Sequence, residues 1–231
     1  MASTTIEFAV QMTCNSCVDS VKKCITNVEG IEDVQISLDE QRVVIKSNLP
    51  TLKLLKILES TGKRVAVKGY AGGQAAVSIL QAGNPNVKGV VRFIQPTTGV
   101  CIVDGTVDGL NTGHYHAYIY ECGDLSNGCE NIGQVFNPTK TTDGKIYGDI
   151  GTIDSKENNR SQFRFENNQI SVTDLIGRAF VVTEESASLE KTKKIACGII
   201  ARSAGLFQNP KSICACDGTT IWDEAGKKSA L

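Results

Sequence analysis

The apolar period changes at one place, and that change most limits what this chain can fold into. Up to residue 68 strand spacing and helix spacing alternate; beyond the glycine-rich GYAGGQ at residues 69–74 only short alternating runs occur. A helix-period segment does not settle as a strand, nor the reverse. Two domains of different class are therefore expected, with the boundary in the glycine-rich break.

In the first part, IEFAV (6–10) alternates like a strand. QMTCNSC is followed by Val18, Val21, Cys24, Ile25 and Val28 at helical spacing, with Gly30 as the stop. VQISLDEQRVVIK reads as two strands around a turn at Asp39 and Glu40. Pro50 opens a helix with Leu52, Leu55 and Leu58 on one face, ending at Gly62. RVAVK (64–68) is a last strand. The order βαββαβ predicts a ferredoxin-like α+β sandwich over residues 1–70. Beyond the break come AVSIL, VVRFIQ, VCIVDGTV, YHAYIYE, QFRFE, FVVTE and IACGIIA. Roughly eight strands in about 130 residues predict an all-β Greek-key sandwich or barrel over residues 71–205. Residues 206–231 are polar, rich in lysine and glycine and poor in periodicity, and are expected to form a flexible tail.

The 231 residues carry a formal net charge of −1, so no broad basic field exists and nucleic acid is not an expected partner. No apolar run reaches membrane-span length, and the start MASTTIEF lacks the basic and apolar regions of a secretory signal. A soluble, cytoplasmic chain is expected. There are nine cysteines, four of them in the close pairs Cys14/Cys17 and Cys214/Cys216. In a reducing compartment close pairs point to metal binding or redox chemistry rather than structural staples. The two histidines, His114 and His116, are too few for a function needing a cluster of imidazoles.

Cys14 falls in the loop before the first predicted helix and Cys17 in its first turn, where free N–H groups and the helix dipole favour thiolates. Two soft thiolates without a neighbouring histidine or carboxylate select a soft, low-coordinate ion, above all Cu(I). Zinc would need four ligands. Cys24 lies on the apolar face and is read as a small core residue. Spacing alone leaves dithiol redox chemistry open beside metal transfer. The pattern MTCNSC within a βαββαβ unit resembles the heavy-metal-associated domain of copper chaperones and copper-pump tails. That resemblance implies metal transfer. It also puts Lys63 where soluble members often carry a lysine able to offset an anionic copper–dithiolate; without it Lys63 is a solvated loop lysine.

VKGVVRF, CGDLSNGC, VFNP, YGDIGT, DLIGRAFVV and KIACGIIARSAG, in that order, resemble the copper/zinc superoxide dismutase subunit over residues 75–205. The resemblance implies a flattened Greek-key barrel that dimerises. It also implies metal-binding histidines that this chain lacks. Alignment on Gly123 and Asp124 places Tyr118 and Tyr120 at the paired strand histidines, Val135 at the bridging one, and Thr183 at the last copper ligand. Ile146 takes a zinc-histidine position, which leaves Asp149 alone of the zinc set. One carboxylate holds neither ion, so the barrel's zinc site is expected to be lost and dismutase activity with it. Lys194 replaces the active-site arginine. His114 and His116 lie four residues upstream on the same strand face, without a complete ligand set, and read as ordinary polar residues. The resemblance further implies a Cys129–Cys197 disulfide, leaving Cys101 and Cys122 as core or edge thiols. The family's dimer surface matches Gly123 to Cys129 and Ile199 to Arg202. Leu125 and Ile200 are accordingly candidate docking residues, for a homodimer and for a heterodimer with a true dismutase subunit.

Locally, Cys214 and Cys216 fit a disulfide half-pair, a metal clip or chance. The whole chain, with a metal-associated domain, a dismutase-like domain and a CACDG tail, resembles the metallochaperones that load copper into superoxide dismutase. That resemblance implies that Cys14 and Cys17 acquire Cu(I), the barrel recognises a dismutase, and Cys214 and Cys216 complete transfer or thiol exchange that oxidises the target's disulfide. A membrane copper importer is a further candidate partner. The rival readings are a divergent dismutase or dithiol oxidoreductase, and a copper buffer without a dedicated target.

Overall fold

The computed structural model describes residues 2–71, 74–97, 99–138, 146–156, 159–185, 192–205 and 207. In the first unit, strands β1 (Thr4–Val10), β2 (Ile31–Ser37), β3 (Arg42–Ser47) and β4 (Val65–Tyr70) form an antiparallel sheet in the order β2-β3-β1-β4. Helices α1 (Asn15–Ile25) and α2 (Thr51–Glu59) complete the βαββαβ order. Alternation on β1 buries Ile6, Phe8 and Val10 completely; Val43, Ile45, Val21, Leu54 and Leu58 are equally buried, so the apolar faces of sheet and helices form one core. α1 ends at Ile25, short of Val28. Thr26 turns extended, at φ −64° and ψ 132°, and Asn27 takes φ 65°, a conformation asparagine tolerates better than most residues.

The second unit contains β5 (Gln74–Leu80), β6 (Ala82–Gly83), β7 (Lys88–Thr97), β8 (Val100–Asp108), β9 (Gly113–Tyr120), β10 (Asp149–Ser155), β11 (Arg160–Asn167), a short helix α3 (Val172–Leu175), β12 (Ala179–Glu184) and β13 (Lys194–Arg202). The order β10-β9-β12-β13-β5-β7-β8-β11 makes a nearly closed antiparallel barrel, and β6 pairs with β13. Ser161 of β11 donates its hydroxyl to the Asp154 carbonyl of β10 at 2.7 Å across the remaining seam. Inside, the Phe180 ring lies 6.0 Å from Phe93 and 6.4 Å from Phe163. Phe163 in turn needs Gly105 opposite it, because a Cβ there would stand 2.2 Å from the ring. β10 is absent from the alternation in the sequence. Gly151 sits at φ 127° and the register shifts between Asp149 and Gly151, so the buried Ile150 and Ile153 fall three apart instead of two.

Ser203 still belongs to the barrel, its N–H bonded to the Ala75 carbonyl at 2.9 Å. Ala204, Gly205 and Phe207 belong to the first unit, earlier than the expected end of the barrel at residue 205. Cys214 and Cys216, with the rest of the expected tail, lie outside the described residues.

Candidate metal centre

The backbone places the first cysteine pair. Cys14 occupies the N-cap of α1 in extended conformation, and the Cys17 N–H reaches back to its carbonyl at 3.0 Å. The two sulfurs are thereby brought to 3.7 Å. With metal–sulfur bonds of about 2.3 Å, one ion can touch both. Ser16 Oγ lies 3.0 Å from Cys14 Sγ and Thr13 Oγ1 3.8 Å from Cys17 Sγ. Hydrogen bonding from the Thr13 backbone, then from the Lys63 side chain and the Thr13 hydroxyl, pulls the Cys17 pKa from 9.0 to about 6. At neutral pH Cys17 is therefore mostly thiolate, on an accessible loop–helix junction. The Lys63 side chain hydrogen-bonds the Cys17 sulfur. Cys24 is half-buried, its thiol on the Val21 carbonyl at 3.1 Å and pushed up by burial, so it stands apart from the pair. Alkylation of Cys17 by iodoacetamide should show a midpoint near pH 6, and Lys63→Met should move that midpoint upward. An unmoved midpoint would remove Lys63 from the site.

The barrel has the opposite character at the positions aligned with dismutase ligands. Tyr118 and Tyr120 pack with Cys129, Ile132, Ala179, Val181 and Cys197, and Val135 and Leu125 close the cluster. Burial first, then the Asp149 charge and the neighbouring Tyr120, push the Tyr118 phenol up to about 12. Thr183 is buried with its hydroxyl on the His116 carbonyl at 3.3 Å. Lys194 Nζ donates to the Cys129 carbonyl at 3.0 Å and lies 5.2 Å from the centre of the Tyr120 ring. Asp149 faces His116 Nε2 at 2.7 Å, His114 Nδ1 faces Asp154 at 2.6 Å, and His116 stacks on Tyr118. These histidine–aspartate contacts fasten β9 to β10, a role invisible without β10. Among the described residues no three histidine, cysteine, aspartate or glutamate side chains are grouped to hold a metal.

Cys129 and Cys197 are joined in a disulfide with Cα atoms 6.0 Å apart and 68 residues of separation. In the chain-entropy model such a loop is worth roughly 4 kcal/mol. A Cys129→Ser/Cys197→Ser variant should lose about that much stability in denaturant melts; a loss under about 1 kcal/mol would show the crosslink to be energetically idle. Cys101 is buried, its thiol pushed up to about 12, and Cys122 is exposed.

The docking residues need one correction. Ile200 is fully buried in the barrel core and cannot meet a partner. Its neighbour Ile199 is 39% exposed and Ile79 of β5 is 55% exposed. The register Ile200 to Ser78 carries these two side by side on the outer face. Leu125 is half-buried against the tyrosine–disulfide cluster. Gly123 lies over Ile199, since a Cβ on it would come 3.2 Å from that side chain.

Two families match the chain: "Heavy-metal-associated domain" over residues 7–64 and "Copper/zinc superoxide dismutase (SODC)" over residues 87–200. The chain is 42% identical to the human "Copper chaperone for superoxide dismutase", over 98% of this chain and 90% of that one. It is 35% identical to the Arabidopsis thaliana "Copper chaperone for superoxide dismutase, chloroplastic/cytosolic", covering 94% of this chain and 69% of the relative. Against the Debaryomyces hansenii "Superoxide dismutase 1 copper chaperone" the identity is 32%, over 97% and 96%. Among solved structures it is similar to the crystal structure of the clock protein EA4, with a TM-score of 0.50 and 28% identity over 58% of this chain and 97% of the other.

Proposed function

The chain belongs to the copper chaperones for superoxide dismutase, and from that premise we propose that it carries Cu(I) on Cys14 and Cys17, docks on a dismutase subunit through its barrel, and promotes the target's disulfide without being a dismutase itself. The observation that carries the first step is the pair of sulfurs 3.7 Å apart at a helix start, one already ionised at neutral pH. Exposed soft thiolates can take the ion from a donor such as a membrane importer and release it to another thiol site by ligand exchange. For recognition, the support is a barrel of dismutase class with Ile79 and Ile199 exposed side by side. An isologous patch of this kind suits both self-association and pairing with a true subunit. The zinc site is read as lost because tyrosines, a valine and a threonine stand at the aligned positions. The isolated copper- and zinc-treated protein should show no superoxide turnover; a histidine-bound Cu(II) spectrum with turnover would overturn this. Among the described residues no helix is long and apolar enough to cross a membrane. The workplace proposed is the cytoplasm.

Cys214 and Cys216 are assigned to the last step. As a disulfide they accept two electrons. One target thiolate attacks a tail sulfur, the second resolves the mixed disulfide, and the tail leaves as two thiols to be re-oxidised by an external oxidant. A Cys214→Ser/Cys216→Ser variant should melt and dock like the parent, yet fail to yield active, disulfide-bonded dismutase from the reduced copper-free enzyme. Target activity and the gel shift of the oxidised subunit read the result. Full maturation would make the tail pair incidental. Copurification with a dismutase subunit separates this reading from a copper buffer or a free dithiol oxidoreductase.

A further inference from the structure

The alternation of β1 puts Ile6, Phe8 and Val10 on the side of the core and Glu7 and Ala9 on the other face of the sheet. On a lone four-stranded sheet with helices on one side, Glu7 would face water. It is instead 2% exposed. One carboxylate oxygen accepts the Phe207 N–H at 2.8 Å, and the other lies 3.5 Å from Lys68 Nζ. Gly205 makes a parallel bridge to Tyr70 of β4. Gly69, which pairs directly with Glu7 across β1 and β4, leaves the room this needs. A Cβ there would stand 2.4 Å from the Gly205 carbonyl oxygen. Arg42, which pairs with Ala9 and so shares the outer face, lies 4.5 Å from the centre of the Phe207 ring. A buried carboxylate persists only with partners, and here a backbone N–H from the far end of the chain supplies one.

We propose that Glu7, Lys68, Gly69 and Arg42 form a docking site for Ala204, Gly205 and Phe207 of the same chain, and that this latch makes the first unit the base from which Cys214 and Cys216 operate. Cys214 follows Phe207 by seven residues, and Cys14 follows Glu7 by seven. Seven residues span at most about 25 Å when fully extended. The first cysteine of each pair is therefore tethered within that distance of one carboxylate, and Cys17 and Cys216, ten and nine residues away, within about 36 Å, however the barrel is engaged. A tether this short keeps the effective concentration of one thiol pair at the other high. The consequence for copper handling rests on the reading of both pairs as working thiols; the latch itself rests on the contacts alone.

The test uses the full chain with Glu7→Ala, which removes the acceptor, and Glu7→Gln, which retains a carbonyl oxygen able to accept the same N–H. Hydrogen exchange at the Phe207 amide is read by mass spectrometry. So is the yield of the Cys17–Cys216 link formed by a short bismaleimide. With Glu7→Ala the amide should exchange at least about tenfold faster, as expected for a lost hydrogen bond to a charged acceptor. The cross-link yield should fall severalfold, and Glu7→Gln should restore most of both. If Glu7→Ala proves unfolded, Gly69→Ala displaces the segment without touching the carboxylate and should give the same pair of changes. Unchanged Phe207 exchange in a folded variant overturns the latch. Faster exchange with an unchanged cross-link yield overturns its tethering role. Cu(I) titration of the Cys14/Cys17 pair reports separately on the function proposed above.

Discussion

Serine at positions 14 and 17, in a chain already carrying Cys214→Ser and Cys216→Ser, is expected to abolish Cu(I) binding, whereas the tail variant alone still binds one ion. Serine offers a hard, protonated hydroxyl where the soft ion needs thiolate, and among the described residues no other group of metal-binding side chains replaces it. Cys24 cannot substitute, because its thiol is bonded to the Val21 carbonyl and half-buried. The pH dependence follows from Cys17. Its pKa is lowered from 9.0 to about 6, so between these values binding need not displace its proton. Below about pH 6 that proton competes, and apparent affinity should fall roughly tenfold per pH unit on its account. A competition titration with a Cu(I) chelator between pH 5 and about 8 measures both effects. Retained one-ion binding by the fourfold variant would place the metal elsewhere.

The first unit was legible because its residues obey two clean periods. Ile6, Phe8 and Val10 at spacing two, and Val21 and Ile25 at spacing four, point to the same core. The placement of Cys14 and Cys17 was legible for the same reason, since the end of β1 and the start of α1 bracket them. β10 was not legible, because its bulge breaks the alternation that betrays a strand. With it the sequence concealed the aspartates facing His114 and His116. By alternation alone Glu7 would be an outward-facing charge, and only a contact 200 residues away in the chain shows otherwise. Ile200 was misjudged for a subtler reason. Resemblance to a dimer surface identifies a stretch of β13, but two adjacent isoleucines on a strand point to opposite faces, and a stretch does not say which faces out.

That parity makes the two isoleucines the sharpest test of docking, because the same substitution should fail in opposite ways. Ile200→Asp places a charge among Phe93, Phe180 and the other core side chains with no partner. An uncompensated buried charge costs roughly 3–5 kcal/mol, a large part of a domain's total stability. The variant should lose its cooperative melt or show it only at much lower temperature. Ile199→Asp keeps its charge in water, 39% exposed beside Ile79, so folding should change by no more than about 0.5 kcal/mol. A charge in an apolar contact must instead be dehydrated when a partner arrives, and truncating a central contact residue commonly costs more than about 1 kcal/mol. Self-association and copurification with a dismutase subunit should therefore both weaken, by roughly fivefold or more. Analytical ultracentrifugation beside a thermal melt separates the cases. Ile199→Asp that folds and still associates would move the interface off β13. Ile200→Asp that folds normally and dissociates would return Ile200 to the surface and overturn its place in the core.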